Sequence, residues 1–185
     1  YLAICHEALL LMRYNKSTLA LSKLKEAIRI EPKNIFAYLI RGEYYHKKLK
    51  YYNLALKDFK VVFETEDIEE TVLNHLLNII YECQLKVKNF EAAKNSVEIA
   101  HKLWPNSPIH IIRYRYIQAI EEPRKTIEVL NQVIREYPEE DEGYCLLGIT
   151  QKAMGQLAAA KTTFKNRLPK TEEPEKFYFH IASIE

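Results

Sequence analysis

The 185-residue sequence predicts an all-α fold, a right-handed α-α superhelix built from repeated helix-turn-helix units. The chain holds only four glycines and seven prolines, too few for the many tight turns of an all-β fold. Prolines also close similar segments at regular intervals. Pro105 and Pro138 lie 33 residues apart, and Pro32 and Pro105 lie 73 apart, close to two such periods. The segment before each of these prolines has apolar residues at helical spacing.

The helix predicted before each proline carries an apolar stripe that begins with a small residue. In the first copy this stripe is Ala20, Leu24 and Ala27, at i, i+4 and i+7. The corresponding small or short residues in the next four copies are Ala55, Ala93, Thr126 and Ala160. Small side chains at this place predict that two helices approach each other closely.

A second helix is predicted to precede each of these, and two copies have a glycine inside it. Gly42 shares a face with Tyr38 and Tyr45, and Gly148 shares one with Tyr144. Glycine inside a helix costs about 0.5–1 kcal/mol relative to alanine, so it needs a packing reason. We expect that reason to be close contact with the paired helix.

This pattern resembles the tetratricopeptide repeat, a unit of about 34 residues with an aromatic residue, Leu-Gly, Tyr, Ala, Phe, Ala and Pro at set places. The clearest match runs from Gly143 through Gly155 to Phe164, and the first copy has Ala8 and Pro32 at the family's positions. The resemblance implies a single solenoid segment. Because the last helix stops at Glu185 and no N-terminal cap is visible, we expect a fragment of a longer array, and the alternative is that the last short helix is itself the cap. Its predicted repeats are 1–34, 35–70, 71–106, 107–140 and 141–174, with a partial helix at 175–185.

The sequence departs from the family pattern at several places. The second copy needs one extra residue in its turn and has Asp67 where proline is expected. Tyr81 and Tyr114 replace the glycine of the third and fourth copies, and Arg167 replaces the second alanine of the fifth. These departures affect the exact repeat boundaries and leave the predicted architecture unchanged.

Net charge, cysteine content and the length of apolar stretches bear on the expected partners and location of the protein. With 27 Lys+Arg and 25 Asp+Glu the net charge is only +2, too near neutral to predict nucleic acid as the main partner. Cys5, Cys83 and Cys145 are odd in number and widely spaced, so we expect free thiols and an intracellular, cytoplasmic location. No apolar stretch approaches the roughly 18 residues of a membrane-spanning helix, so membrane insertion is not expected.

Motifs for chemistry are sparse. The six histidines are not paired at helical spacing, and no nucleophile elbow, phosphate loop or dinucleotide fingerprint occurs. We therefore predict no enzyme, no cofactor and no metal site. One basic-aromatic cluster, Arg113-Tyr114-Arg115-Tyr116, could hold phosphates and stack bases, which makes RNA binding an alternative. The near-neutral charge favours a structural role for this cluster.

Resemblance to the family implies that the first helices of successive repeats line a concave surface. In this sequence the groove is predicted to be formed by Leu9, Met12, Leu39, Ile40, Glu43, Asn78, Ile79, Glu82, Ile112, Arg115, Leu146 and Ile149. Such a mainly apolar surface suits an apolar or amphipathic segment of a protein or peptide partner. The sequence thus predicts an interaction scaffold or adaptor in a larger complex. The remaining alternative is an architectural rod whose groove is filled by its own chain.

One subclass of the family makes a specific prediction about its partner. Members that hold the acidic tails of heat-shock chaperones use Lys, Asn, Asn, Lys and Arg at five places in three consecutive repeats, because two carboxylates need many donors. The first three copies here have Cys5, Leu9, Ile40, His75 and Ile79 at those places. The acidic chaperone tail is therefore not the expected partner.

Overall fold

The computed structural model describes residues 1–65 and 67–184, and in these the fold is all-α. Glu66, inside the predicted second repeat, and Glu185, at the end of the predicted partial helix, lie outside the described residues. The described part contains eleven α-helices: α1 Leu2–Arg13, α2 Ser17–Ile30, α3 Ile35–Tyr44, α4 Tyr52–Phe63, α5 Glu70–Lys86, α6 Phe90–Leu103, α7 Pro108–Ala119, α8 Pro123–Glu136, α9 Asp141–Ala153, α10 Leu157–Arg167 and α11 Pro174–Ala182. Two short segments add a π-helical turn at Tyr45–Leu49 and a 3₁₀ turn at Leu168–Lys170.

Prolines mark both ends of the helices. Pro32 and Pro138 each lie two residues after the end of a helix, where a missing N–H does no harm. Pro108, Pro123 and Pro174 are each the first residue of a helix, since proline's fixed φ suits that position. The regular spacing of these residues therefore has a direct structural cause.

Four of the five turns between paired helices share one backbone conformation, and the turn between α7 and α8 is the exception. Asn15, Lys50, Lys88 and Gly155 have φ of 57°, 58°, 58° and 76°, and each lies two residues before the next helix. Glycine and asparagine are common in the left-handed region, whereas lysine adopts it rarely, so Lys50 and Lys88 could not be foreseen. The N–H of the residue after Asn15, Lys88 and Gly155 bonds to a carbonyl five residues back, at 2.8–2.9 Å.

The extra residue of the second copy lies inside a helix and not in the turn itself. Here the N–H of Tyr51 reaches the carbonyl of Tyr45, six residues back, at 2.9 Å. The preceding segment, Tyr45–Leu49, is π-helical, the form in which a single inserted residue widens one turn. The insertion therefore leaves Lys50 with the same left-handed conformation as Asn15, Lys88 and Gly155.

Contacts divide the chain into two compact units, the first Tyr1–Ser96 and the second beginning at Val97. In the first unit α1 packs on α2, α3 on α4, and α4 on α5. Its cores contain Leu24 and Phe59, both fully buried. In the second unit α7 packs on α8, α9 on α10, and α10 on α11, with Phe164 and Phe177 fully buried.

The two glycines inside first helices lie against phenylalanine rings. A Cβ added at Gly42 would lie 2.6 Å from Cε1 of Phe59, and one added at Gly148 would overlap the Phe164 ring. Both phenylalanines belong to the paired helix and are fully buried. The expected reason for these glycines, close contact between paired helices, is confirmed.

Arg167, which replaces an alanine of the repeat pattern, is buried and ties α10 to the start of α9. Its Nε donates to Oδ1 of Asp141 at 2.5 Å, and its terminal nitrogens donate to the carbonyls of Pro138, at 3.1 Å, and Glu139. The guanidinium also lies 5.3 Å from the Tyr144 ring centroid. These partners keep its pKa raised, although burial alone would lower it.

Candidate functional site

A hollow of about 330 Å³ lies between α1 and α3 in the first unit. Five of the residues predicted to form the groove line it: Leu9, Met12, Leu39, Ile40 and Glu43. Four of these are apolar, and the exposed fraction of Leu9 is 38%. We call this feature the α1–α3 hollow.

The α1–α3 hollow is also lined by three residues that the sequence pattern does not predict: Phe36, Tyr44 and Lys47. Lys47 could have been found, because it follows Glu43 by four residues and such pairs meet on a helix. Phe36 and Tyr44 carry no comparable signal, since aromatic residues at helical spacing usually mark the core.

Hydrogen bonds hold α3, one wall of the α1–α3 hollow, at both of its ends. At one end the Tyr1 hydroxyl accepts from the Ala37 N–H at 2.9 Å, and burial raises the pKa of Tyr1 to about 12. At the other end the hydroxyls of Ser17 and Tyr44 lie 2.6 Å apart. These bonds tie α3 to Tyr1, just before α1, and to Ser17, the first residue of α2, without any ligand.

Charged side chains stand at the rim of this surface. Glu43 accepts from Lys47 at 2.7 Å and lies 3.1 Å from Nε2 of His75. Burial opposes ionisation of Glu43, but the Lys47 and His75 contacts outweigh it, so its pKa is lowered. His46 and Glu82 form a second contact of 3.3 Å. The rim therefore presents a carboxylate that stays ionised beside apolar walls.

Three residues predicted to face the groove are buried instead, and this part of the prediction is wrong. The exposed fractions of Ile79, Ile112 and Leu146 are 5%, 0% and 6%. Each lies three residues before a more exposed predicted residue: Glu82, Arg115 or Ile149. In a helix such neighbours sit on one broad face, so the member nearer the packed side becomes core while the other meets solvent.

The other predicted residues keep some contact with solvent. Asn78 donates to the side chain of Asn74 at 3.0 Å, and the exposed fraction of Ile149 is 38%. The guanidinium of Arg115 bonds to the Glu136 carboxylate at 2.5 Å. Partner binding by these residues stays a prediction.

The basic-aromatic cluster does not form an open surface. The exposed fraction of Arg113 is 4%, and its Nε donates to Glu142 at 2.6 Å. Tyr116 is buried as well, and burial raises its pKa. With Arg115 paired to Glu136, the observation behind the RNA-binding alternative is lost.

The three cysteines are buried free thiols on α1, α5 and α9. Burial raises the pKa of Cys83 and of Cys145 to about 12. A thiol with a raised pKa is a poor nucleophile at neutral pH. Among the helices of residues 1–65 and 67–184, none has the length and apolar character that a membrane crossing requires.

Comparison with known proteins identifies the fold. No family model matches the sequence, and no curated protein matches it. A tetratricopeptide repeat protein from Parabacteroides merdae has a TM-score of 0.73 at 17% identity, covering 98% of this chain and 69% of its own. YrrB, described as having an unusual peptide-binding site, has a TM-score of 0.59 at 16% identity over 95% of this chain and 89% of its own. PilW, a type IV pilus biogenesis factor, has a TM-score of 0.59 at 18% identity, with coverages of 98% and 84%.

Proposed function

Since the chain has the tetratricopeptide-repeat fold that its sequence predicts, we propose that it is a non-catalytic protein-interaction module. Its α1–α3 hollow binds an apolar or amphipathic segment of a partner, and the module acts as an adaptor in a larger complex. The observation that carries this proposal is the open apolar hollow itself. An unfilled apolar hollow between two helices is the kind of surface in which a partner buries its own apolar residues.

Two further observations support the proposal. The α3 wall of the α1–α3 hollow is held at both ends by the Tyr1–Ala37 and Ser17–Tyr44 hydrogen bonds, so little ordering of this wall is needed on binding. Glu43 and Lys47, paired with each other at the rim, offer polar groups to the parts of a partner that flank the apolar segment. YrrB, with a similar fold, has a peptide-binding site.

The test is selection from a library of random peptides, followed by titration of the best peptide against designed variants. Leu9→Ser/Leu39→Ser makes the hollow polar without touching a fully buried residue. Removing two apolar contacts is expected to weaken binding by at least about tenfold, or 1.4 kcal/mol. Fluorescence anisotropy measures the dissociation constant, and circular dichroism checks that the helices remain.

Leu10→Ser/Leu19→Ser is the matched control. It makes the same chemical change at two leucines that are more exposed, 53% and 55%, and that do not line the hollow. Binding by this control should equal that of the unchanged protein. Equal loss in both variants, or selected peptides that are uniformly polar, would overturn the proposal.

A further inference from the structure

A second hollow, of about 460 Å³, lies elsewhere on the first unit. It is lined by Lys50 and Tyr51 before α4, by the first three residues of α4, and by Val87 from the turn between α5 and α6. Tyr51, Tyr52, Leu54 and Val87 give it aromatic and aliphatic walls, and Lys50 stands among them. We call it the turn hollow. No residue is shared with the α1–α3 hollow.

Six cations lie at the three turns between paired helices of the first unit, and one of them, Lys50, lines the turn hollow. We call them the basic edge: Arg13, Lys16, Lys48, Lys50, Lys86 and Lys88. All six are exposed, and within residues 1–65 and 67–184 none takes part in a recorded ion pair. The stretches 13–16, 47–53 and 86–90 contain no acidic residue at all.

Contacts bring these turns together. Ser17, just after the first turn, is hydrogen-bonded to Tyr44, just before the second. Val87 of the third turn shares the turn hollow with Lys50 of the second. The six positive charges therefore act on one region and not on three separate ones.

The helix dipole accounts for only half of the basic edge. Arg13, Lys48 and Lys86 lie at the ends of first helices, where a cation is favourable. Lys16, Lys50 and Lys88 lie directly before α2, α4 and α6, where the dipole end is positive and a cation is unfavourable. The fold gains nothing from lysine at these three places.

A cluster of acidic residues of the first unit lies at a different connection. The connection between α4 and α5 carries Glu64, Asp67, Glu69 and Glu70. The net charge of +2 therefore conceals a separation of charge within the first unit. A partner approaching the basic edge meets a positive potential that the whole-chain charge does not reveal.

We propose that the basic edge and the turn hollow form a second interaction surface, for an acidic protein segment that carries one apolar or aromatic side chain. The acidic residues pair with the lysines, and the apolar side chain enters the turn hollow against Tyr51 and Leu54. Five of the six cations are lysine, without the planar fork by which arginine holds phosphates and bases, so a peptide is favoured over nucleic acid. A hollow also suits an inserted side chain of a peptide better than it suits a flat lipid surface.

The probe is a fluorescent peptide in which glutamates flank a single phenylalanine. A second peptide, with serine in place of the phenylalanine, measures the contribution of the charges alone. The phenylalanine peptide should bind, and its affinity should fall by at least about tenfold between about 0.05 M and 0.5 M salt. Lys48→Glu/Lys50→Glu/Lys88→Glu should weaken binding by at least about tenfold. Tyr51→Ser should lower affinity for the phenylalanine peptide and leave the weaker binding of the serine peptide unchanged.

Lys25→Glu/Lys33→Glu/Lys57→Glu is the matched control. It changes the net charge by the same amount at three exposed lysines outside the basic edge. The affinity of this control for the phenylalanine peptide should fall by less than about threefold, because screened charges act only over short distances. An equal loss of affinity in both triple variants would overturn the proposal. So would a thymidine oligonucleotide or phosphatidylserine vesicles that bind more tightly than the phenylalanine peptide. The Leu9→Ser/Leu39→Ser variant should bind this peptide normally, so failure here is distinguishable from failure at the α1–α3 hollow.

Discussion

Gly148 and Phe164 illustrate how single residues set the distance between paired helices. The Phe164 ring occupies the space in which a Cβ at position 148 would lie, and Gly42 and Phe59 have the same relation in the second repeat. In the first repeat Ala8 stands in place of the glycine and Leu24 in place of the phenylalanine, and the two lie in one core cluster. Each pair divides a similar volume in a different way.

Gly148→Ala is therefore expected to destabilise the second unit. The added methyl group must displace a fully buried ring, and overpacking of this kind costs about 1–3 kcal/mol. Urea denaturation followed by circular dichroism measures the change in the free energy of unfolding.

The double variant Gly148→Ala/Phe164→Leu reproduces the pair of the first repeat and tests the explanation. Leucine leaves room for the methyl group, so the two changes should couple favourably by about 1 kcal/mol in a double-mutant cycle. Strict additivity of the two single changes would show that the contact does not set the helix spacing.

Arg167 acts at the scale of a helix pair, because it joins the last turn of α10 to the residues that begin α9. Its exposed fraction is 3%, and its partners Asp141, Pro138 and Glu139 all lie at the start of α9. The departure from the repeat pattern at this position is thus an anchor between two helices.

Arg167→Ala restores the residue that the repeat pattern expects, yet we expect it to destabilise the protein. The change leaves the Asp141 carboxylate and two backbone carbonyls without their donor, which costs about 2–3 kcal/mol. Thermal melting should show a lower midpoint for this variant. Lys165→Ala, at an exposed residue of the same helix, should melt like the unchanged protein. An unchanged midpoint for Arg167→Ala would mean that water replaces the anchor fully.

Local spacing was enough to predict most of the helices. The stripes that begin at Ala20, Ala55 and Ala160 are buried as expected, because helical periodicity shows directly which face is apolar. The groove was harder to predict, since Ile79 and Glu82 share one face and only the packing of neighbouring helices decides which is covered. Arg113 was missed for another reason: its partner Glu142 lies 29 residues away, beyond any local pattern.

Across the whole molecule, the buried thiols give each unit an internal reporter. Cys5 and Cys83 lie in the first unit and Cys145 in the second, with exposed fractions of 0%, 0% and 4%. Alkylation should be at least about a thousandfold slower than in the unfolded chain, because a protein stable by 5 kcal/mol or more opens that rarely.

Alkylation at increasing urea concentrations, followed by mass spectrometry of each cysteine peptide, measures this protection. Cys5 and Cys83 should become reactive together, since both lie in one compact unit, and Cys145 reports separately on the other. A cysteine introduced by Lys25→Cys, at an exposed position, provides the unprotected rate. Reaction of any native cysteine at that rate would contradict the burial described above.

Correct pairing of helices during folding depends on the unequal pairs Ala8–Leu24, Gly42–Phe59 and Gly148–Phe164. Repeats with one shared pattern present several similar helices that could associate wrongly. A helix with alanine at the contact cannot accept the phenylalanine of another repeat, and one with glycine leaves a void against leucine. Side-chain volume therefore discriminates against mispaired helices, and a graft between repeats should succeed only when both members of a pair are moved together.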